Sequence, residues 1–383
     1  MSVTSAGPWE LAKGLESFGA DLPHTRPPYS ARNWGHPLHS LCSYQGKLKP
    51  SLVAKLLELA LPRDASVLDP LGGVGTVAFE AAMTGRRAWS NDLSPFPYLV
   101  ATGKLAPPTL EEADAAISAF ALELAEVSLT ERDWAEADFG LNATVRDYFH
   151  ETTLEDVLRA RKLLSGEHEV TPTRAFIWAC LLHVLHGNRP YALSRTSHPI
   201  TPFSPRGPFV EKDLVGSVRD KARRALELPL PAEFCPAVSL RGDFRTLPAR
   251  LDDQVDAIVT SPPFIGMRFD RPNWLRLWFC GWEASTFHET KTAGFLERQQ
   301  TKDRECYRDF FRVSAELLPS GGILIAHVGA GPRGDLAADL LRLAPAEFTL
   351  EADVVEEVAH IERHGISDKR RTPRQHLLGF VRR

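Results

Sequence analysis

The stretch Val67-Leu68-Asp69-Pro70-Leu71-Gly72-Gly73-Val74-Gly75-Thr76, followed by the helical run Val77 to Met83, decides how the rest of the chain reads. A short apolar strand, a glycine-rich turn and a helix N-terminus make up the nucleotide-cradling unit of doubly wound α/β folds. The glycines let backbone approach a ligand closely. On the same pattern Arg86 to Asn91 reads as the second strand, ending in Asp92, 23 residues after Asp69. An acidic residue about 20 positions on is the expected partner of a ribose hydroxyl. The spacing is Asp-Pro-x-x-Gly-x-Gly-Thr and not G-x-G-x-x-G, which disfavours a dinucleotide.

A second stretch, Ser261-Pro262-Pro263-Phe264, ends the apolar run Val255 to Thr260. Two prolines without amide hydrogens and with fixed φ cannot continue a sheet or a helix, so the chain leaves the strand as a stiff, extended corner. Such a corner presents the Ser261 hydroxyl, a backbone carbonyl free of any ladder, and the Phe264 ring. An acceptor pair beside an aromatic plate suits a flat heterocycle carrying an exocyclic amine.

The two stretches resemble motifs I and IV of the S-adenosylmethionine-dependent amino-methyltransferases, which methylate N4 of cytosine or N6 of adenine in DNA. The resemblance covers roughly residues 36–105 and 237–330. It implies an α/β fold: a doubly wound, mostly parallel Rossmann-like methyltransferase sheet with a largely helical insertion. It implies S-adenosylmethionine as cofactor, with Asp69 near its methionine end and Asp92 on its ribose. Pro70, Gly72, Gly73, Gly75, Thr76 and Leu93 complete that pocket. Upstream, Ser43-Tyr44-Gln45-Gly46-Lys47-Leu48-Lys49-Pro50 resembles motif X, making Tyr44 and Lys47 candidates for closing the methionine end. Downstream, Arg241-Gly242-Asp243-Phe244 stands where the family's third motif places an acceptor for the cofactor's adenine amine, so Asp243 and Phe244 are its candidates. Leu317 to Gly322 resembles the family's Leu-Pro-x-Gly-Gly turn. Motif I, insertion and motif IV follow one another as in the family's α order, although Asp243 falls after the insertion and not before it.

Hydrophobic content of 43% and charged content of 25% are those of a soluble globular protein. No stretch has the layout of a signal peptide or the length to span a bilayer, so a cytoplasmic protein without membrane contact is expected. The five cysteines are scattered and never spaced C-x-x-C, which argues for reduced thiols and against a structural metal. None follows a strand as Pro-Cys, so covalent attack on cytosine C6 has no candidate nucleophile. The net charge of −4 is unevenly spread. Pro108 to Leu158 carries 13 acidic and 2 basic residues, Leu185 to Ala225 carries 8 basic and 3 acidic, and Arg363 onward carries 7 basic and 1 acidic. A protein can hold a phosphate backbone on one basic face while its back is acidic.

The organisation reads as residues 1–106 for the first half of the methyltransferase domain, 107–236 for a helical insertion that would recognise the target, and 237–383 for the second half. Helices are expected at Thr109 to Val127, Thr153 to Leu164 and Pro172 to Leu185, and later strands at Ile323 to Val328, Phe348 to Val355 and His376 to Val381. Within the insertion, the segment His186 to Arg206 is broken by prolines and carries Asn188, Arg189, Arg195, Ser197, His198 and Arg206, all able to meet bases or phosphates. With Arg268 beyond motif IV, these are the DNA-binding candidates, and a DNA-facing loop is expected. Lys369 to Arg374 is the alternative basic contact.

The activity implied is methyl transfer to the N4 amine of a cytosine flipped out of double-stranded DNA. Ser261 and the Pro262 carbonyl would accept from the amine, Pro263 would hold the corner, and Phe264 would stack on the base. Serine before Pro-Pro leans toward cytosine; adenine N6 is the alternative, and an RNA or protein amide methyltransferase with the same amine chemistry a further one. A catalytically silent binding module is disfavoured by intact Asp69, Asp92, Ser261 and Phe264. Duplex DNA is the expected partner, a cognate restriction endonuclease a second one, and monomer and dimer stay equally open.

Overall fold

A computed structural model of the chain describes residues 8–31, 34–167, 169–358 and 373–383. Its strands are β1 (Val67–Asp69), β2 (Ala88–Asp92), β3 (Val238–Arg241), β4 (Ala257–Thr260), β5 (Ile323–Gly331), β6 (Gly334–Asp335), β7 (Phe348–Glu357) and β8 (Arg374–Arg382). They form one sheet in the order β3-β2-β1-β4-β5-β8-β7, with β6 paired to the end of β5. From β3 to β5 all neighbours are parallel. β8 runs antiparallel to both β5 and β7, closing the far side as a hairpin would. The expected doubly wound, mostly parallel sheet is therefore the architecture.

The strands read as continuous apolar runs because both faces of the sheet are covered. Alternate residues serve the two sides. Val67, Ala257, Val259, Ile323 and Ile325 join a core with the helices Pro50–Ala60, Thr76–Met83 and Pro95–Leu105. Leu68, Ile258, Leu324, Ala326 and Val328 join a second core with the helices Tyr307–Leu317 and Leu336–Leu343. The chain steps from β1 to β2 and β3 in one direction, then crosses to β4 on β1's other side. That reversal opens a crevice beyond the carboxyl ends of β1 and β4, the place where doubly wound sheets bind ligands.

Between β2 and β3 the described residues hold no named strand, only helices at Pro95–Leu105, Leu110–Glu126, Glu131–Ala135, Glu151–Gly166, Pro172–Val184 and Leu214–Ala225, with short 3-10 turns. Helix Leu110–Glu126 starts at a reciprocal cap between Thr109 and Glu112. It turns Ala113, Ile117, Phe120 and Leu124 inward and leaves Glu111, Glu112, Glu123 and Glu126 exposed. Much of the acidic block is thus a solvated outer face. Helix Pro172–Val184, opened by a Thr171 cap and Pro172 in its first turn, is buried almost all round and lies on helix Pro95–Leu105. At that crossing Gly103 is required: a Cβ there would come within 2.5 Å of the Phe176 backbone. The insertion therefore continues the core of the sheet's helical layer. No described helix is long and apolar enough to cross a membrane, and no three His, Cys, Asp or Glu among the described residues are grouped to hold a metal.

Gly103→Ala forces these two helices apart, and overpacking of this kind costs about 1–3 kcal/mol. Chemical denaturation should show that loss, with the denaturant slope unchanged.

Candidate functional site

β1 ends at Asp69, and the turn that follows is held by the neighbouring strand. Gly72 N–H donates to the Asn91 carbonyl at 2.8 Å. Asn91 Nδ2 donates to the carbonyls of Pro70 (3.1 Å) and Gly242 (3.0 Å), fastening β1, β2 and β3 at one end. Gly73 and Gly75 have φ of 52° and 70°, which glycine adopts without strain. Gly75 ends the turn and Thr76 starts the helix. Gly72 has no room for a side chain, since a Cβ would lie 2.1 Å from Ser90 Oγ.

Two carboxylates anchor this turn. Asp92 Oδ2 accepts from Gly73 N–H at 3.1 Å and its Oδ1 from Ser94 N–H at 2.8 Å. Asp69 Oδ1 accepts from Leu71 N–H at 3.2 Å and from Thr260 Oγ1 at 2.7 Å. Burial pushes the Asp69 carboxyl up to about 7, against the pull of the Thr260 hydrogen bond. Burial also raises Asp92 to about 7, opposed by its two backbone donors, with Asp69 nearby adding to the rise. Leu93 follows Asp92, half-buried. Tyr44 covers Gly73 and stands between Phe96 and Phe269, with ring centroids 5.8 and 5.7 Å away. Lys47 Nζ donates to the His39 carbonyl at 2.6 Å, fixing the segment that carries Tyr44.

The hydroxyls of Thr76, Ser90 and Ser94 and Oδ1 of Asn91 are buried with no hydrogen-bond partner. Such atoms are costly unless a ligand meets them. Together with the glycine cradle, they fit a ligand with ribose hydroxyls and a polar, cationic tail.

β4 leads through Thr260 into Ser261-Pro262-Pro263-Phe264. Ser261 Oγ donates to the His327 carbonyl of β5 at 3.0 Å and lies 3.5 Å from His327 Nδ1, which leaves the oxygen at least one lone pair to accept with. The Pro262 carbonyl accepts no hydrogen bond from any described residue. The carbonyls of Pro263 and Phe264 are taken by Gln300 Nε2 at 2.9 and 3.4 Å. The half-buried Phe264 ring leans on the His327 ring at 5.8 Å. The corner is thus rigid, with one hydroxyl and one carbonyl left to act.

Asp243 caps the turn after β3 and is drawn into an ion pair with Arg245 Nη1 at 3.0 Å. Arg245 is also bound to Asp309 and Gln299. Phe244 is buried in the second core beneath the Arg245 guanidinium. Arg268 pairs with the buried Asp270, which Arg298 also meets.

The loop His186 to Arg206 is fixed by its own backbone. The Pro202 carbonyl accepts from Asn142 Nδ2, Tyr148 OH and Trp274 Nε1, and the buried Arg276 donates to the Pro199 carbonyl. Arg195 donates to the carbonyls of Gly207 and Asp147 and stacks on Phe209 at 4.3 Å. Ser197 is buried and donates to the Phe203 carbonyl. Asn188, Arg189, His198 and Arg206 are exposed. Of the basic alternative Lys369 to Arg374, residues 369–372 lie outside the described residues, and Arg374 opens β8.

Four residues of this site went unnoticed in the sequence: Thr260, His327, Glu297 and Gln300. His327 had a signal, a lone histidine inside the apolar run of β5, and Thr260 stood next to Ser261. Glu297 and Gln300 had none, because the helix Leu296–Lys302 reaches the site only through tertiary packing.

Residues 39–131 match the family UPF0020, described as an RMKL-like methyltransferase domain. No curated protein matches the chain. Among solved structures it is similar to TrmN from Thermus thermophilus, at 17% identity and a TM-score of 0.38 over 91% of this chain and 52% of that one. It spans about half the length of that protein. It is also similar to the rRNA methyltransferase aviRa from Streptomyces viridochromogenes (12% identity, TM-score 0.36, 93% of each chain). A third is a TehB-like SAM-dependent methyltransferase from Corynebacterium glutamicum (11% identity, TM-score 0.31, 96% of this chain and 98% of that one). Likenesses of this size carry no argument about substrate. The matched residues include the glycine turn, Asp69 and Asp92, so this part of the chain matches a methyltransferase domain.

Asp69 ionises near 4 in an unfolded chain but only near 7 in the fold. The folded state therefore binds the extra proton, and this group withdraws stability as pH rises from about 4 through about 7. Asp69→Asn keeps the acceptor oxygen and removes the titration. Thermal unfolding of the cofactor-free proteins should show the variant gaining on the wild type as pH climbs through that window.

Proposed function

We propose that the protein transfers a methyl group from S-adenosylmethionine to the exocyclic amine of a nucleobase in a polynucleotide, with RNA as the favoured polymer. The observation that carries the reading is the Asp69–Thr260 hydrogen bond. It sets the glycine turn directly beside the strand that ends in Ser261-Pro262-Pro263-Phe264, so a cofactor in the crevice and a base at the corner would meet.

Each residue then has a role that its chemistry allows. Asp92 accepts from the ribose, while Asp69, Pro70, Gly72, Gly73, Gly75, Thr76, Leu93 and Tyr44 shape the rest of the cofactor pocket. Asp243 lies at the adenine end. Bound S-adenosylmethionine supplies an electrophilic methyl. A nucleobase amine is a poor nucleophile, since its lone pair is delocalised into the ring. Hydrogen bonds from that amine to Ser261 Oγ and the Pro262 carbonyl draw the lone pair out of conjugation, and Phe264 stacks on the ring. Rate then comes from positioning and from acceptors fixed in advance.

RNA is favoured because an unpaired base needs only a stacking plate and an amine acceptor. The loop expected to grip a duplex spends Arg195 on the carbonyls of Asp147 and Gly207 and Ser197 on that of Phe203. Methylation of N4 of a flipped cytosine in duplex DNA is the second reading, supported by the exposed Asn188, Arg189, His198 and Arg206 on that loop.

The test is incubation with isotopically labelled S-adenosylmethionine and either total RNA or duplex DNA, followed by mass spectrometry of the digested nucleosides. Label on an exocyclic amine of an RNA nucleoside is the expected result. Label confined to DNA would favour the second reading, and label on carbon or ribose oxygen would overturn the amine assignment. On the substrate so identified, Ser261→Ala should lower kcat by roughly 10²-fold with cofactor affinity unchanged. Phe264→Ala should lose stacking worth about 1–3 kcal/mol.

A further inference from the structure

Helix Leu296–Lys302 touches the site at both ends, and Glu297 on its first turn has no assigned role. The chain enters this helix past Gly294, where an added Cβ would lie 3.9 Å from Leu93, the neighbour of Asp92. Phe295 then stacks on Phe269, whose ring lies against Tyr44. One turn later Gln300 holds the Pro263 and Phe264 carbonyls of the catalytic corner. Residues three apart on a helix are neighbours on its surface. Glu297 is therefore set between the Asp92–Tyr44 end of the pocket and the corner, the interval across which a methyl group would pass.

Glu297 is 9% exposed, and its carboxylate meets its own backbone N–H and lies in the field of Arg298, which is itself drawn to Asp270. Asp69 and Asp92 are each met by two donors from other residues, whereas Glu297 has only its own N–H. A buried carboxylate with so little hydrogen bonding is costly, and the cost is relieved by a positive charge placed beside it.

We infer that Glu297 is a binding residue of the cofactor pocket that faces the sulfonium of S-adenosylmethionine, so that the pocket prefers the charged cofactor to its neutral thioether product. The inference rests on the reading of Asp92 and the glycine turn as the cofactor site. Transfer breaks the sulfur–methyl bond and forms a nitrogen–methyl bond. Sulfur keeps the electron pair and becomes a neutral thioether, while the positive charge passes to the methylated amine, which sheds a proton. Glu297 thereby loses its counter-charge at the moment of transfer, which loosens the hold on the product and favours its replacement by fresh cofactor.

Calorimetry with three ligands tests this: S-adenosylmethionine, S-adenosylhomocysteine, and an analogue with an ammonium group in place of the sulfonium. Wild type should bind both cations more tightly than the thioether, a comparison that needs no variant. Glu297→Gln should weaken the two cations by roughly tenfold or more and the thioether by less than about twofold, closing the gap. Equal binding of all three by wild type, or equal losses for all three in Glu297→Gln, would overturn the inference. Asp92→Asn separates the two levels of argument. If it weakens all three ligands while Glu297→Gln changes none, the pocket stands and Glu297 is not part of it. If neither substitution changes any affinity, the pocket itself is wrongly placed.

Discussion

β1 and β4 are adjacent strands separated by about half of the chain, and the buried hydrogen bond from Thr260 Oγ1 to Asp69 Oδ1 pins their carboxyl ends. Backbone pairing alone fixes their register only as far as Leu68 and Ile258. Beyond those residues both strands leave the sheet, one into a glycine turn and the other into a proline corner. The side-chain bond carries the alignment past the last backbone pair. Burial at this place raises the Asp69 carboxyl to about 7, and the Thr260 bond offsets part of that rise. That is tolerable only where a ligand later shares the environment.

The same reasoning extends to the whole crevice. Asp92 stands close enough to both Asp69 and Glu297 for their charges to interact, and burial first of all raises Glu297 too to about 7. A protein selected for stability alone would not gather three acids beneath the point where its strand order reverses. Function explains their concentration better than packing does, since perturbed titrations cluster where ligands and reacting groups must be met. The rest of the molecule shows the opposite habit: its arginines mostly sit in shallow ion pairs or hold backbone carbonyls, as Arg195 and Arg276 do.

The elements that were legible in the sequence are those whose conformation is dictated locally. The turn after Asp69 needs its glycines, the corner after Thr260 needs its prolines, and the helix at Leu110 announces itself by Thr109 and Glu112. β5 was legible as an apolar run, and its extension to Gly331 was not, because its end pairs with β6 and β8 only in the fold. The loop at His186 reads the same way locally whether its arginines face outward or inward; Arg195 turns inward because Asp147 and Gly207 offer carbonyls there. Glu297 and Gln300 were invisible for a related reason. Their helix is an ordinary polar one, and what makes it functional is the neighbour that packing gives it.

The crossing of Gly103 and Phe176 bears on how the chain acquires its shape. β3 pairs with β2 in register, Asp92 opposite Arg241, only after everything between them has been drawn in. A contact so distant along the chain carries a heavy loop-closure entropy, and its formation is slow unless the intervening segment is already compact. Helices Pro95–Leu105 and Pro172–Val184, buried against each other, would supply that compaction early. The insertion then serves as the folding bridge between the two halves of the sheet.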